Sequence, residues 1–108
     1  MSPLAFYKCL ADDTRLKALL LLVSHSELCV CDFTDALQLS QPKISRHLAD
    51  LRKCDLVLGE RRGKWVYYQL HPALPDWARQ VLTLTHDNNP DYLTEAQSNL
   101  AAASCATC

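Results

Sequence analysis

The chain has 108 residues, with 11 lysines and arginines against 12 aspartates and glutamates, and 49% of its residues are hydrophobic. This is enough apolar material for one compact domain, and it excludes a disordered tail protein. The longest apolar run, Ala18–Val23, is far shorter than the roughly 18 residues that span a bilayer. The first residues also lack an export signal. We therefore expect a cytoplasmic protein with no membrane partner.

The net charge of −1 is unevenly distributed along the chain. The segment from Ser40 to Lys64 holds seven basic and three acidic residues, a net +4, which leaves −5 for the remainder. Such a bipolar chain suits a polyanionic partner at one end and solvent or a second copy elsewhere.

The first elements in chain order are predicted to be helices. A short helix covers about residues 3–10 and is too apolar to be a free tail. Three helix-capping residues, Asp12, Asp13 and Thr14, stand before a stripe of leucines and one valine at helical spacing. A second helix should therefore run from about Asp13 to Ser24.

Two further helices are predicted on either side of a short break. The run Leu28–Leu37 can form a helix of two to three turns, and the chain then turns at residues 38–40. Ser40 can cap the next helix, which continues to about Lys53. Three residues of that helix form an apolar back, namely Ile44, Leu48 and Leu51, and its opposite face is basic.

The remainder of the chain predicts a hairpin, a last helix and a tail. Two β-prone runs, Leu56–Leu58 and Trp65–Leu70, are joined by a turn that contains both glycines of the chain. A helix with Trp77 should end before residue 88. We expect residues 1–90 to form the domain and residues 91–108 to form a tail that is partly helical and then disordered.

This order of elements is typical of a mainly α winged helix-turn-helix with a small β-hairpin. Basic residues of the second helix and of the hairpin would displace counterions from phosphates, and the helix N-terminus would read base edges. The role of His47 stays open between packing and DNA contact. The candidate DNA-binding residues are Gln41, Lys43, Ser45, Arg46, Arg61, Arg62 and Lys64.

A Cys-x-Cys pair, Cys29 and Cys31, begins the first helix of the helix-turn-helix. In a reducing compartment such cysteines favour metal, metalloid or redox chemistry over disulfides. A helix N-terminus lowers thiol pKa values and so favours thiolates, which soft ions prefer. Residues i and i+2 of a helix point about 200° apart, so one shared ion should distort the first turn and alter DNA binding.

Four segments together resemble the arsenical-resistance operon repressors of the ArsR/SmtB family. They are the LADDTRL segment at 10–16, the ELCVCD segment at 27–32, the SQPKISRHL segment at 40–48 and the GKWVYY segment at 63–68. The resemblance implies a homodimer, formed through its first and last helices, that binds operator DNA. It also implies that trivalent arsenic or antimony, bound by Cys29 and Cys31, releases the DNA.

The third ligand of the implied arsenic site is left open, because Thr34 stands where many such repressors have a third cysteine. The candidates are Cys105 or Cys108 from the tail, Cys9 or Cys54, or a group carried by the arsenic itself. We favour the tail pair, and we expect Cys54 to be core.

A thiol-based redox-sensing repressor that uses Cys29 and Cys31 is the alternative function. The dithiol spacing of Cys105 and Cys108 could carry redox enzyme chemistry, but it lacks the βαβ context that such motifs need. We therefore expect no enzymatic activity and no catalytic cofactor.

Overall fold

The computed structural model describes residues 1–103, and within them the fold is mainly helical with one small antiparallel sheet. No helix in this described part is long and apolar enough to cross a membrane. The elements are α1 (Pro3–Leu10), α2 (Asp13–Ser24), β1 (Leu28–Cys29), α3 (Val30–Leu37), α4 (Gln41–Lys53), β2 (Val57–Arg62), β3 (Trp65–Leu70), α5 (Asp76–Asn88) and α6 (Pro90–Ala102).

The predicted helices and hairpin are confirmed, with two corrections. Of the three candidate capping residues, Asp12 caps α2, since its carboxylate accepts a hydrogen bond from the backbone N–H of Arg15 at 2.9 Å. Residues 59–62, predicted as part of the turn, belong to β2, because they pair with β3. The other correction concerns the start of α3. Leu28 and Cys29 do not belong to a helix. They form β1, an edge strand that pairs with β3, and the sheet has the order β1-β3-β2.

The wing is the hairpin of β2 and β3, and its two glycines have different roles. Gly63 has φ +64° in the turn, where a side chain would be strained. Gly59 lies opposite Tyr68 in the strand register, and a Cβ at Gly59 would meet the Tyr68 ring at 3.0 Å. The absence of a side chain at Gly59 therefore lets the Tyr68 ring lie against β2.

One core holds the helices against the sheet. α2 supplies a run of fully buried leucines, and Phe33 of α3 is likewise excluded from solvent. The apolar back predicted for α4 is also buried in this core, through Ile44, Leu48 and Leu51. The opposite face of α4 is therefore left to solvent.

The predicted tail contains a helix that belongs to the packed unit. Leu93 and Ala96 of α6 are buried in the common core. The Asn99 amide donates to the carbonyl oxygen of Ala36 at 3.1 Å, which ties α6 to α3. The division of the chain at residue 90 stays a prediction, and the expected disorder of the chain end falls outside the described residues, as do Cys105 and Cys108.

The end of α4 is connected to α1 by a disulfide between Cys9 and Cys54. Cys54 packs partly against the core, as expected, but its bond to Cys9 departs from the expectation that metal, metalloid or redox chemistry is favoured over disulfides. The sequence did not pair these cysteines because 45 positions separate them.

Asp55, the residue with left-handed backbone conformation after α4, affects the stability of the chain. Asp55 has φ 58° and is exposed, and the amides of Asp55 and Leu56 bond back to Arg52 and Leu51, which is a Schellman cap. Because glycine adopts this conformation without steric cost, Asp55→Gly should raise the free energy of unfolding by about 0.5 kcal/mol.

Urea unfolding of the purified chain measures this effect. Asp55→Ala is the control, and it should lower the same free energy because a Cβ remains in the strained conformation without the local hydrogen bonding of an aspartate. Equal stability of the glycine and alanine variants would contradict the strain argument.

Candidate metal centre and nucleic-acid interface

The two sulfurs of the Cys-x-Cys pair lie next to each other. The Sγ atoms of Cys29 and Cys31 are 3.1 Å apart. Cys29 is buried with 1% of its surface exposed, and Cys31 is half-buried. Cys31 is disulfide-bonded in this structure, so one soft ion can contact both sulfurs once the chain is reduced.

The expectation that sharing an ion requires distortion of the α3 helix is wrong. The side chains of residues 29 and 31 would diverge only if both residues belonged to a regular helix. Cys29 is instead the N-cap of α3, with φ −88° and ψ 169°, and only Cys31 is helical. The extended backbone at Cys29 turns its side chain toward Cys31, so the pair is preorganised.

A third possible metal ligand, which was not predicted from the sequence, lies beside the sulfurs. Ligand atoms of Cys29, Cys31 and Asp32 lie within 4.8 Å of one another. Asp32 is positioned because its carboxylate accepts a hydrogen bond from the Cys29 backbone N–H at 2.9 Å, as a residue at N3 commonly does. The acidic residue three positions after a non-helical N-cap was the sequence signal for this contact.

The pKa of Cys29 differs from the expectation for a thiol at a helix N-terminus. Burial raises the pKa of this thiol above its ordinary 9.0, and the neighbouring Asp32 carboxylate raises it further. The backbone N–H groups that favour the thiolate do not outweigh burial. The Cys29 group therefore stays protonated near neutral pH and loses its proton when it binds an ion.

The position of the family's third cysteine is occupied by a hydroxyl that already has a hydrogen bond. Thr34 Oγ1 donates to the Cys31 carbonyl oxygen at 2.8 Å. A cavity of about 160 Å³ adjoins this position. Its lining comes from α3, from the start of α4 and from the wing, through Val30, Cys31, Thr34, Gln41, Lys64, Trp65 and Val66.

The other two cysteines considered as third ligands lie elsewhere in the described chain. Cys9 and Cys54 are bonded to each other at the junction of α1 and α4, and neither belongs to the Cys29 group. The two tail candidates, Cys105 and Cys108, fall outside the residues that the structure describes.

The helix α4 presents the predicted reading residues to solvent. Its buried stripe orients the helix so that Gln41, Lys43, Ser45 and Arg46 are all exposed in its first two turns. His47 is different, because its Nδ1 faces the Asp12 carboxylate at 3.8 Å and its side chain is only 25% exposed. This position favours packing of His47 against the start of α2, and its part in DNA binding stays a prediction.

The wing carries the three other predicted DNA-binding residues, and all three are exposed. Arg61 Nε donates to the carbonyl oxygen of Gly63 at 3.1 Å, while Lys64 lies over the Trp65 ring. Arg62 is held by acidic neighbours: its guanidinium donates to both carboxylate oxygens of Glu27 at 2.7 and 2.8 Å, and to Glu60 at 3.2 Å.

Comparison with known proteins agrees with this geometry. Residues 12–58 match the family model of bacterial regulatory proteins, arsR family. The chain is 48% identical over 101 residues to the arsenic resistance transcriptional regulator ArsR1 of Pseudomonas putida, with 94% of this chain and 79% of the relative covered. The chain belongs to the ArsR family. The arsenical resistance operon repressor of Escherichia coli is 45% identical over 104 residues, which cover 96% of this chain and 89% of that one.

Solved structures of regulators share the fold of this ArsR-family chain. HlyU from Vibrio cholerae superposes with a TM-score of 0.71 at 30% identity, covering 79% of this chain and 88% of HlyU. The antimony-specific transcriptional repressor AntR gives 0.68 at 25% identity, with coverage of 82% and 77%. These relatives confirm the winged helix-turn-helix class, and they are transcriptional regulators rather than enzymes.

The raised pKa of the buried thiol in this ArsR-family chain can be tested by alkylation. In the reduced Cys31→Ser variant, the rate of iodoacetamide reaction at Cys29 should rise with pH to a midpoint above the ordinary 9.0. Asp32→Asn should lower this midpoint, because it removes the negative charge next to the thiolate. Mass spectrometry of the peptide that contains Cys29 gives the rate.

Asp35→Asn is the matched control, since it removes a carboxylate of the same helix outside the Cys29 group. The attribution to Asp32 fails if Asp32→Asn and Asp35→Asn give the same midpoint.

Proposed function

We propose that this chain is a transcriptional repressor that binds operator DNA as a homodimer and releases it when trivalent arsenic or antimony binds the thiolates of Cys29 and Cys31. The observation that carries the proposal is the preorganised sulfur pair at the start of the helix-turn-helix. The 45–48% identity to proteins named as arsenic-resistance regulators supports the same function. Such a repressor acts in the cytoplasm, where the DNA is.

The DNA half of the proposal follows from the exposed basic face. The first turns of α4 enter the major groove, where Arg46 can pair with guanine and Gln41 with adenine. Lys43 and Ser45 contact the adjacent backbone or bases. The wing residues Arg61, Arg62 and Lys64 contact phosphates, so affinity falls with rising salt.

With both cysteines reduced to thiols by glutathione, the inducer half requires only ligand exchange at arsenic. Arsenous acid exchanges two of its hydroxyl groups for the two sulfurs, so two As–S bonds form, two As–O bonds break, and each thiol proton leaves with a hydroxyl group as water. The third position keeps oxygen or takes a further thiolate, for which Cys105, Cys108 or an external thiol such as glutathione are the candidates. No other cofactor is required.

Coupling between the two halves runs through elements that share the thiol pair. Cys29 lies in β1, which is hydrogen-bonded to the wing strand β3, and Cys31 lies in α3, which packs against α4. An ion that bonds to both sulfurs therefore joins the wing sheet to the helix-turn-helix. The DNA is released if the ion binds more tightly to the arrangement that does not fit the operator.

The homodimer is supported by apolar side chains that the single chain leaves exposed. Leu4 and Tyr7 of α1 are 65% and 51% exposed, and Leu84 of α5 is 61% exposed. Burial of these side chains against a second copy removes apolar surface from water. A two-fold dimer would present two reading helices to a palindromic operator.

The first experiment uses a fluorescently labelled DNA fragment from upstream of the gene for this chain, with glutathione in excess. Anisotropy should rise with wild-type protein and fall when arsenite is added. Cys29→Ser and Cys31→Ser should each bind the fragment like wild type and lose the arsenite response, because each removes one of the two sulfurs held side by side at the start of α3.

Release of DNA from either serine variant at the wild-type arsenite concentration would rule out this pair as the inducer site. Release by peroxide that is reversed by reductant, with no effect of arsenite, would favour the redox-sensing alternative.

The reading helix has its own test. Arg46→Ala should weaken operator affinity by about tenfold or more, because it removes a side chain able to form a bidentate base contact. Arg52→Ala is the matched control, since it removes one exposed positive charge from the last turn of the same helix. Anisotropy titrations at one salt concentration compare the two, and equal losses would remove Arg46 from the base-reading face.

A further inference from the structure

One ion pair connects the wing to the segment that leads into the thiol pair. Glu27 lies two residues before Cys29, immediately before β1, and Arg62 is the last residue of β2. Both guanidinium nitrogens of the Arg62 fork donate to the two Glu27 oxygens, at 2.7 and 2.8 Å. The two residues are 35 positions apart in the chain, so this contact exists only in the folded protein.

The geometry of this pair sets it apart from an ordinary surface ion pair. Both side chains are partly exposed, 40% for Glu27 and 45% for Arg62, and exposed pairs of single-contact geometry usually contribute little. A bidentate guanidinium–carboxylate contact, however, fixes direction as well as distance. The Arg62 guanidinium also lies 4.8 Å from the centre of the Tyr67 ring.

Tyr67 of β3 contacts both the Arg62 side chain and the backbone of Cys29. It is the β3 residue that pairs with Cys29, so the Arg62 guanidinium lies over the strand partner of the inducer-binding cysteine. The wing is therefore joined to β1 twice, by backbone pairing of Cys29 with Tyr67 and by the Glu27–Arg62 fork. A displacement of β1 can therefore move the wing through a side-chain contact as well as through backbone hydrogen bonds.

We propose that Glu27 is a positioning residue that transmits arsenic binding at Cys29 and Cys31 to the DNA-contacting wing through its fork with Arg62. This inference rests on the proposed function. Ion binding that favours a displaced β1 also displaces Glu27 and with it the Arg62 guanidinium, and the wing loses its alignment on the phosphates. Glu27 itself contacts neither DNA nor inducer.

The chain contains a matched control for this role. Glu60 also accepts a hydrogen bond from Arg62, at 3.2 Å, but it belongs to β2 and so stays within the wing. Glu60→Gln and Glu27→Gln each remove one negative charge that contacts the Arg62 guanidinium. Only Glu27→Gln weakens a contact between the wing and the segment that leads into β1.

The test measures coupling, which is the ratio of the DNA dissociation constants with saturating arsenite and without it. Anisotropy gives both constants for full-length wild type, Glu27→Gln and Glu60→Gln, and calorimetry gives the arsenite affinity of each. Glu27→Gln should keep DNA affinity without arsenite and arsenite affinity within about threefold of wild type. Its coupling should fall by about fivefold or more, whereas Glu60→Gln should keep the wild-type coupling.

The outcomes separate this inference from the proposed function. If arsenite does not release DNA from wild type, the proposed function fails, and the inference fails with it. If wild type responds and Glu27→Gln shows the same coupling, only the inference is overturned. An equal loss of coupling in Glu60→Gln also overturns it, because the effect would then reflect the charge around Arg62 rather than the link to β1.

Discussion

Two backbone pairings, Leu28 with Tyr68 and Cys29 with Tyr67, attach the start of α3 to the wing sheet. Because Cys29 is held extended by this pairing, it caps the helix instead of joining it, and its sulfur comes to lie 3.1 Å from that of Cys31. The geometry of the thiol site is therefore a consequence of sheet formation. The same strand also brings Glu27 to Arg62, so the wing and the thiol pair share one support.

Burial determines the chemistry of the two functional surfaces in opposite ways. The Cys29 sulfur is buried, and loss of solvation keeps it protonated until a bound ion compensates for the charge. The polar and basic residues of the first turns of α4 remain in water because the apolar stripe of that helix occupies the core. Burial thus keeps one thiol away from water, while the same core leaves a polar and basic helix face exposed.

Contacts between distant parts of the chain position α3 and α4. The Cys9–Cys54 disulfide joins α1 to the end of α4, and α6 packs on α3 with the Asn99 amide bonded to the Ala36 carbonyl. The start of α3 is bound to the sheet, while its other end lies against α6. The helix α3, on which the proposed ion would act, therefore has its position defined at both ends.

Local patterns in the sequence determined the helices, the hairpin, the basic face of α4 and the identity of the cysteine pair, because each depends on residues within a few positions of one another. Only the tertiary structure decided that Leu28 and Cys29 form a strand, since that strand exists only by pairing with residues some 40 positions later. The proximity of the sulfurs, the raised pKa of Cys29, the Glu27–Arg62 fork and the packed state of α6 follow from such distant contacts. Periodicity alone cannot predict them, because burial and pairing are properties of the folded chain.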